Sequence, residues 1–183
     1  YIEDFEKARG LFARAKRLAR ETGNTIALAP PAPLLGALAR RNTSRVAFAA
    51  QDISATTGGA TTGEITARAY AATGATYAIL GHSERRAAGD TDAIIAEKMA
   101  HALAHGLSPN LCVGESERDG EGRYLALERE ELTRAIEPLA PKERAQVIVA
   151  YEPLWAIGKT ADAAIGPNDL AEMALYIRKV LAE

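Results

Sequence analysis

The stretch VIVAYEPLWAIGKT, residues 147–160, puts a glutamate directly after a β-branched apolar run. Such a run is typical of a strand buried on both faces of a sheet, and Glu152 stands where that strand would end. Pro153, Trp155 and Gly158 come next, and they are residues that shape a loop. The stretch therefore predicts a buried strand that ends in a carboxylate and continues into a loop with an apolar face.

The order of strand and then helix repeats along the chain. Residues 1–22 carry apolar side chains at spacings of three and four, which predicts an amphipathic helix closed by Gly23. This alternation indicates an α/β fold with a parallel sheet, with about five strands and six helices in one domain over residues 1–183. The predicted strands are 25–30, 46–52, 76–81, 110–114 and 147–152.

The charge of the chain is almost balanced. Lys and Arg number 22 and Asp and Glu 24, giving a net charge of −2 without a basic patch. Nucleic acids and anionic membranes require clustered positive charge, so neither is the predicted partner. No apolar run approaches the ~18 residues that span a bilayer, and the first residues, YIEDFEK, do not resemble a signal peptide. We expect a soluble, cytoplasmic protein with a small-molecule substrate or a protein partner.

Cys112 is the single cysteine, in the apolar run NLCVG. It has no internal disulfide partner, which fits a reducing compartment, and we expect it to be a small buried hydrophobe. His101 and His105 lie four residues apart, a spacing that metal pairs share, but no third ligand is near in sequence. A solvated helix face is the simpler interpretation, and we expect no metal.

Polar residues follow most of the predicted strands. Because the carboxyl ends of parallel strands meet at one edge of a sheet, these residues predict a site there. They are Gln51-Asp52, His82-Ser83-Glu84, Glu115-Ser116 and Glu152.

His82 follows a predicted strand, with Ser83 as a possible helix N-cap. An imidazole beside a helix N-terminus is disfavoured from taking a second proton, so His82 would be a neutral hydrogen-bond donor. The Glu152 carboxylate could take a proton from a carbon next to a carbonyl, provided that the site excludes enough water to raise its basicity. The alternatives are a histidine that only caps or packs, and a glutamate in a surface salt bridge.

Two motifs, YAILGHSERR and VAYEPLWAIGK, resemble the signatures of the triosephosphate isomerase family. The segments APPAPLL, TGEIT and GLSPNLCVGES resemble that family's intervening segments in the same order. The resemblance implies a (β/α) barrel and interconversion of dihydroxyacetone phosphate and glyceraldehyde 3-phosphate, in glycolysis and gluconeogenesis, without a cofactor. It also implies a homodimer through the loop around Thr62.

The resemblance assigns roles residue by residue. Glu152 matches the base that shuttles the proton, and His82 matches the group that polarises the carbonyl. Glu84 matches a supporting acidic residue, and Gly158 matches a lid glycine whose N–H meets the substrate phosphate.

The sequence departs from the family pattern in several places. The first strand, with its phosphate-binding lysine, and the last two strand–helix units have no counterpart in residues 1–183. Lys159, Thr160 and Ala161 follow Gly158 directly, so the lid is two residues short, and Asp52 stands where the family more often has Asn. We expect an incomplete barrel that is poorly active by itself. The alternatives are a related barrel enzyme acting on another small carbonyl compound, and a non-catalytic fragment that assembles through its open sheet edges.

Overall fold

The computed structural model describes residues 2–158, 160 and 164–183. Within them, strands and helices alternate along the chain, which confirms the predicted α/β class. The strands are β1 (Ala27–Leu28), β2 (Ala47–Ala50), β3 (Tyr77–Leu80), β4 (Ser108–Val113) and β5 (Ile148–Tyr151). The helices are α1 (Phe5–Thr22), α2 (Ala32–Ala39), α3 (Ala67–Thr73), α4 (Ser83–Ala87), α5 (Asp92–Ala104), α6 (Arg123–Ile136), α7 (Pro141–Arg144) and α8 (Pro167–Ala182). The described residues thus form eight α-helices where about six were expected, and α4 and α7 are the shortest of them.

The chain forms two compact units, residues 1–80 with 97–110, and residues 81–96 with 111–183. The strand order is β1-β2-β3-β4 in the first unit, and in the second unit β4 lies next to β5. In the first unit β1 pairs with β2 and β2 with β3, both in parallel. The start of β4 joins β3 there, because the Ser108 N–H donates to the Thr76 carbonyl at 2.8 Å.

The first unit has an apolar core between its helices and strands. The rings of Phe12 on α1 and Phe48 on β2 lie 5.4 Å apart, and both side chains are buried. Helix α1 begins with Asp4, whose side chain accepts from the Lys7 N–H, and it ends at Gly23 with a φ of 72°. The predicted closure of this helix at Gly23 is confirmed.

The second unit is held by α6, α8 and the strand ends. Leu132 on α6 and Met173 on α8 are fully buried, and the Tyr176 hydroxyl donates to the Leu125 carbonyl at 2.7 Å. The Glu152 N–H, just after β5, donates to the Val113 carbonyl of β4 at 2.7 Å. This bond fixes where the chain leaves β5. None of the helices in the described residues is long and apolar enough to cross a membrane.

Candidate active site

His82 caps the helix that follows β3. Its Nδ1 accepts the Glu84 N–H at 3.2 Å, so His82 is the N-cap of α4 and the predicted cap at Ser83 is wrong by one residue. Because Nδ1 accepts a hydrogen bond, the ring proton of a neutral imidazole lies on Nε2.

Glu152 and His82 meet directly. The His82 Nε2 lies 3.2 Å from the Glu152 Oε1, and the two side chains are 33% and 25% exposed. Both residues belong to the second unit, and each is the first polar residue after its strand or the strand's closing glycine. The His82 imidazole and the Glu152 carboxylate are therefore adjacent, and both are partly exposed to solvent.

Gly81 and Gly114 allow the backbone segments that carry His82 and Glu152 to lie close together. Gly81 has a φ of 73°, and a Cβ there would lie 3.1 Å from the Cys112 carbonyl oxygen. At Gly114 a Cβ would lie 1.8 Å from the Glu152 carbonyl oxygen. Neither position accommodates a side chain without displacement of the backbone that carries His82 or Glu152.

The thiol of Cys112 is buried, as predicted. Burial and the charge of Glu152 raise the pKa of the Cys112 thiol to about 11, and Glu131 adds to this while Arg86 opposes it. A thiol with this pKa is protonated at neutral pH and is a poor nucleophile.

A buried carboxylate, Glu115, anchors the loop after Glu152. The indole Nε1 of Trp155 donates to its Oε1 at 2.8 Å, and the Tyr151 hydroxyl lies 2.8 and 2.9 Å from its two oxygens. The Leu154 N–H also donates to the Glu115 carbonyl at 3.0 Å. These bonds hold the short 3-10 turn Leu154–Ala156, which begins the predicted lid.

Arg118 completes this cluster. Its Nε donates to the Glu115 Oε1 at 2.9 Å, and its guanidinium lies 5.1 Å from the Tyr124 ring centroid and 5.6 Å from that of Trp155. Burial raises the pKa of Glu115, but the donors Trp155, Arg118 and Tyr151 outweigh it and hold the pKa below its usual value. Glu115 is therefore an ionised acceptor at neutral pH.

The sequence argument missed the roles of Glu115, Arg118 and Tyr151. Glu115 was visible as a polar strand end, but its partners come from the β4–α6 loop and from β5. The sequence feature that could have suggested this cluster was Tyr151, a residue with a hydroxyl group immediately before Glu152.

The other residues predicted for the site, Glu84, Gly158 and Thr62, are exposed at the surface. The Glu84 side chain is exposed, and its backbone N–H makes the contact with His82. Gly158 is exposed, with a φ of 72° and nothing within 4 Å of a Cβ placed on it. Lys159 and Ala161, the predicted continuation of the lid, lie outside the described residues. Thr62 is exposed in a loop of the first unit, where the Ser54 N–H donates to the Ile65 carbonyl at 2.9 Å.

Asp52 has a structural partner in the first unit. The buried Lys98 donates to both of its carboxylate oxygens, at 2.9 and 2.8 Å. An aspartate at this position therefore neutralises a buried lysine, which an asparagine would not do.

No group of three or more His, Cys, Asp or Glu side chains in the described residues has an arrangement that could hold a metal ion. His101 lies on α5 and His105 directly follows that helix, and neither belongs to such a group.

The sequence model of the triosephosphate isomerase family matches residues 1–183. The chain belongs to this family. The triosephosphate isomerase of Thermus thermophilus is 39% identical over 180 residues, which cover 97% of this chain and 71% of the relative. The triosephosphate isomerase of Symbiobacterium thermophilum is 39% identical over 170 residues, which cover 91% of this chain and 66% of the relative.

The triosephosphate isomerase of Ralstonia nicotianae is 47% identical over 123 residues, which cover 64% of this chain and 49% of the relative. The matches to these three relatives thus span between 49% and 71% of their lengths. Membership of the family accounts for the two motifs and for the alternation of strands and helices.

Proposed function

We propose that the protein interconverts dihydroxyacetone phosphate and D-glyceraldehyde 3-phosphate by proton transfer through an enediolate. The observation that carries this proposal is the 3.2 Å contact between the His82 Nε2 and the Glu152 Oε1 in a chain of this family. The contact supplies a donor for a carbonyl oxygen and a base for the neighbouring carbon. The reaction belongs to glycolysis and gluconeogenesis.

The reaction moves protons at both carbons and between the two oxygens. Glu152 removes a proton from C1 of dihydroxyacetone phosphate while the His82 Nε2–H donates to the C2 carbonyl oxygen, and this donor stabilises the resulting enediolate. The C1 hydroxyl proton then passes to the C2 oxygen with the His82 imidazole between them, and Glu152 returns a proton to C2, which leaves the aldehyde at C1 and a hydroxyl at C2. Because the Nδ1 of His82 accepts the Glu84 N–H, the imidazole acts as a neutral donor.

Glu84 and Gly158 have supporting roles in this proposal. The Glu84 N–H fixes the imidazole ring by its bond to Nδ1, and the Glu84 carboxylate is the acidic residue that the family places beside the histidine. The Gly158 N–H binds the substrate phosphate when the lid closes, and closure keeps water from the enediolate.

The Glu115 cluster holds the first hinge of that lid. Trp155 is bonded to a buried carboxylate, and Pro153 restricts the backbone between Glu152 and the 3-10 turn. We therefore expect Leu154 and Trp155 to stay in place when the lid closes. This arrangement positions the Glu152 carboxylate at the start of the lid.

The assembly and compartment are also proposals. The exposed loop around Thr62 would contact a second copy of the chain, giving a homodimer, and the protein would act in the cytoplasm. Residues 1–183 by themselves are expected to be poorly active, because binding of the phosphate supports the chemistry at the other end of the substrate.

The experiment is a substrate panel with the protein expressed from its full reading frame. Isomerisation of dihydroxyacetone phosphate is compared with that of unphosphorylated dihydroxyacetone, in the wild type and in Glu152→Gln. The proposal predicts activity on the phosphorylated substrate that Glu152→Gln removes. Equal or better activity on unphosphorylated compounds would instead identify a related barrel enzyme with another substrate.

A further inference from the structure

A pocket of about 380 Å³ lies in the second unit, between α6, the end of β4 and α4, and we call it the Glu128 pocket. Its lining includes neither His82 nor Glu152. Among the described residues, the carboxylates that line it are Asp92, Glu115, Glu128, Glu130 and Glu131.

Glu128 is buried without a partner. The residue is 2% exposed, and within the described part of the chain neither of its carboxylate oxygens has a hydrogen-bond partner. A carboxyl group removed from water in this way is costly unless another group binds it. Since Glu128 lines the pocket, such a group would have to come from within it.

The other charges of the pocket are paired. The Arg86 Nη1 donates to the Asp92 Oδ1 at 2.7 Å, and its Nη2 lies 2.7 Å from the Glu131 Oε1. The second oxygen of Glu131 accepts the Gly114 N–H at 3.2 Å. These bonds fix Glu131 next to the Glu128 pocket and leave Glu128 as the carboxyl group of the described lining without a hydrogen-bond partner.

Arg134 and Glu115 have partners as well. Arg134 pairs with Glu130 and also lies 3.4 Å from Asp92, and Glu115 accepts from Trp155. Among the described residues, Arg86 and Arg134 are the cations that line the pocket, and both are paired with other carboxylates. When Glu128 ionises, its charge therefore has no cation of its own.

We propose that the Glu128 pocket binds a small organic cation, an alkylammonium or alkylguanidinium ion. Its N–H groups donate to Glu128 and Glu131, and its short alkyl chain contacts the apolar side chains of Leu127 and Leu154, which also line the pocket. An organic cation fits better than a metal ion, because no described group of side chains has a metal-binding arrangement.

The charges around Glu128 make this binding depend on pH. Burial and the neighbouring Glu131 and Glu115 raise the pKa of Glu128 to about 8, while Arg86 opposes the shift. Asp92, Glu130 and Arg134 also line the pocket. The cation requires the ionised carboxylate, so its affinity should rise about tenfold per pH unit below this pKa and level off above it.

The test is titration of the full chain with n-butylammonium at pH 6.5 and pH 8.5, by calorimetry and by the fluorescence of Trp155. Trp155 is the single tryptophan of the sequence, and its partner Glu115 lines the pocket. We expect binding that is about 20-fold tighter at pH 8.5. The neutral analogue 1-butanol should bind much more weakly.

Two variants and a control separate the pocket from general charge effects. Glu128→Leu and Glu128→Gln should abolish the tighter binding at pH 8.5, with folding checked by circular dichroism. Glu137→Gln, at an exposed glutamate at the end of the same helix, should bind as the wild type does. Absence of butylammonium binding to the folded wild type at pH 8.5 would overturn the proposal, as would equal binding by Glu128→Leu or of 1-butanol. The outcome does not depend on isomerase activity.

Discussion

The backbone of Gly114 lies so close to Glu152 that a Cβ on the glycine would sit 1.8 Å from the Glu152 carbonyl oxygen. The Glu152 N–H donates to the carbonyl of the preceding residue, Val113. The ends of β4 and β5 are therefore in direct backbone contact at the point where the proposed base leaves the sheet. The position of Glu152 depends on the absence of a side chain at residue 114.

Gly114→Ala is expected to displace Glu152 from His82. The protein should lose ~1–3 kcal/mol of unfolding free energy, and its isomerase activity should fall at least tenfold. Chemical denaturation and steady-state kinetics measure the two effects. Gly120→Ala is the matched control, because nothing lies within 4 Å of a Cβ at that position. Equal effects of the two substitutions would contradict the steric argument.

Glu115→Gln is expected to change the response of stability to acid. Donors around Glu115 hold its folded-state pKa below the unfolded value, so its ionised form stabilises the protein above the unfolded pKa. This stability is lost as the pH falls through the lower, folded-state pKa. The variant should be less stable than the wild type at pH 7, and the difference should shrink toward pH 2.

Thermal unfolding between pH 2 and pH 7 measures this difference for Glu115→Gln. Glu117→Gln, at an exposed neighbouring glutamate, is the control. A difference from the wild type that stays constant over this range would show that the ionised state of Glu115 does not stabilise the fold.

Glu128→Leu is expected to stabilise the protein at alkaline pH. The folded-state pKa of Glu128 is raised to about 8, so its contribution is fully present below the unfolded pKa and is lost as the pH rises toward 8. A leucine at this position does not ionise and leaves no carboxyl group without a partner. The free energy of unfolding should therefore rise by an amount on the order of 1–3 kcal/mol at pH 8. Denaturation at pH 5 and pH 8 checks the prediction, which fails if the gain is no larger at pH 8.

Lys98→Met is expected to destabilise the first unit by ~2–4 kcal/mol, since Asp52 would lose a buried cation that donates to both of its oxygens. Adding Asp52→Asn should recover part of this loss, because the carboxylate charge is then absent. A double-mutant cycle in chemical denaturation measures the coupling. Additive losses in the cycle would mean that the two side chains stabilise the fold independently.

The sequence was sufficient to predict the ends of the strands that carry His82 and Glu152, because each follows a short apolar run. The spacing of apolar residues could not predict which residue caps α4, because His82 and Ser83 both have a side-chain acceptor and lie next to each other. The Glu115 cluster joins residues 36 and 40 positions apart, a separation that local patterns do not describe.

Helix α6 shows a second limit of sequence patterns. A hydrophobic pattern places Leu127 inside and Glu128 outside, but Leu127 is 60% exposed and Glu128 is 2% exposed. The burial of Leu132, Ala135 and Ile136 sets the rotation of the helix, and Glu128 lies on that same face. The outcome depends on which residues the rest of the unit covers, which the helix sequence by itself does not reveal.

The most direct test of the central proposal is conversion of dihydroxyacetone phosphate in D₂O, followed by NMR, for the wild type and Glu152→Gln. Glu172→Gln, at an exposed glutamate on α8, serves as the control. We expect the wild type and the control to form glyceraldehyde 3-phosphate with deuterium at C2, and Glu152→Gln to lose at least ~10³-fold in rate while remaining folded. Conversion by Glu152→Gln at the wild-type rate would contradict the assignment of Glu152 as the base.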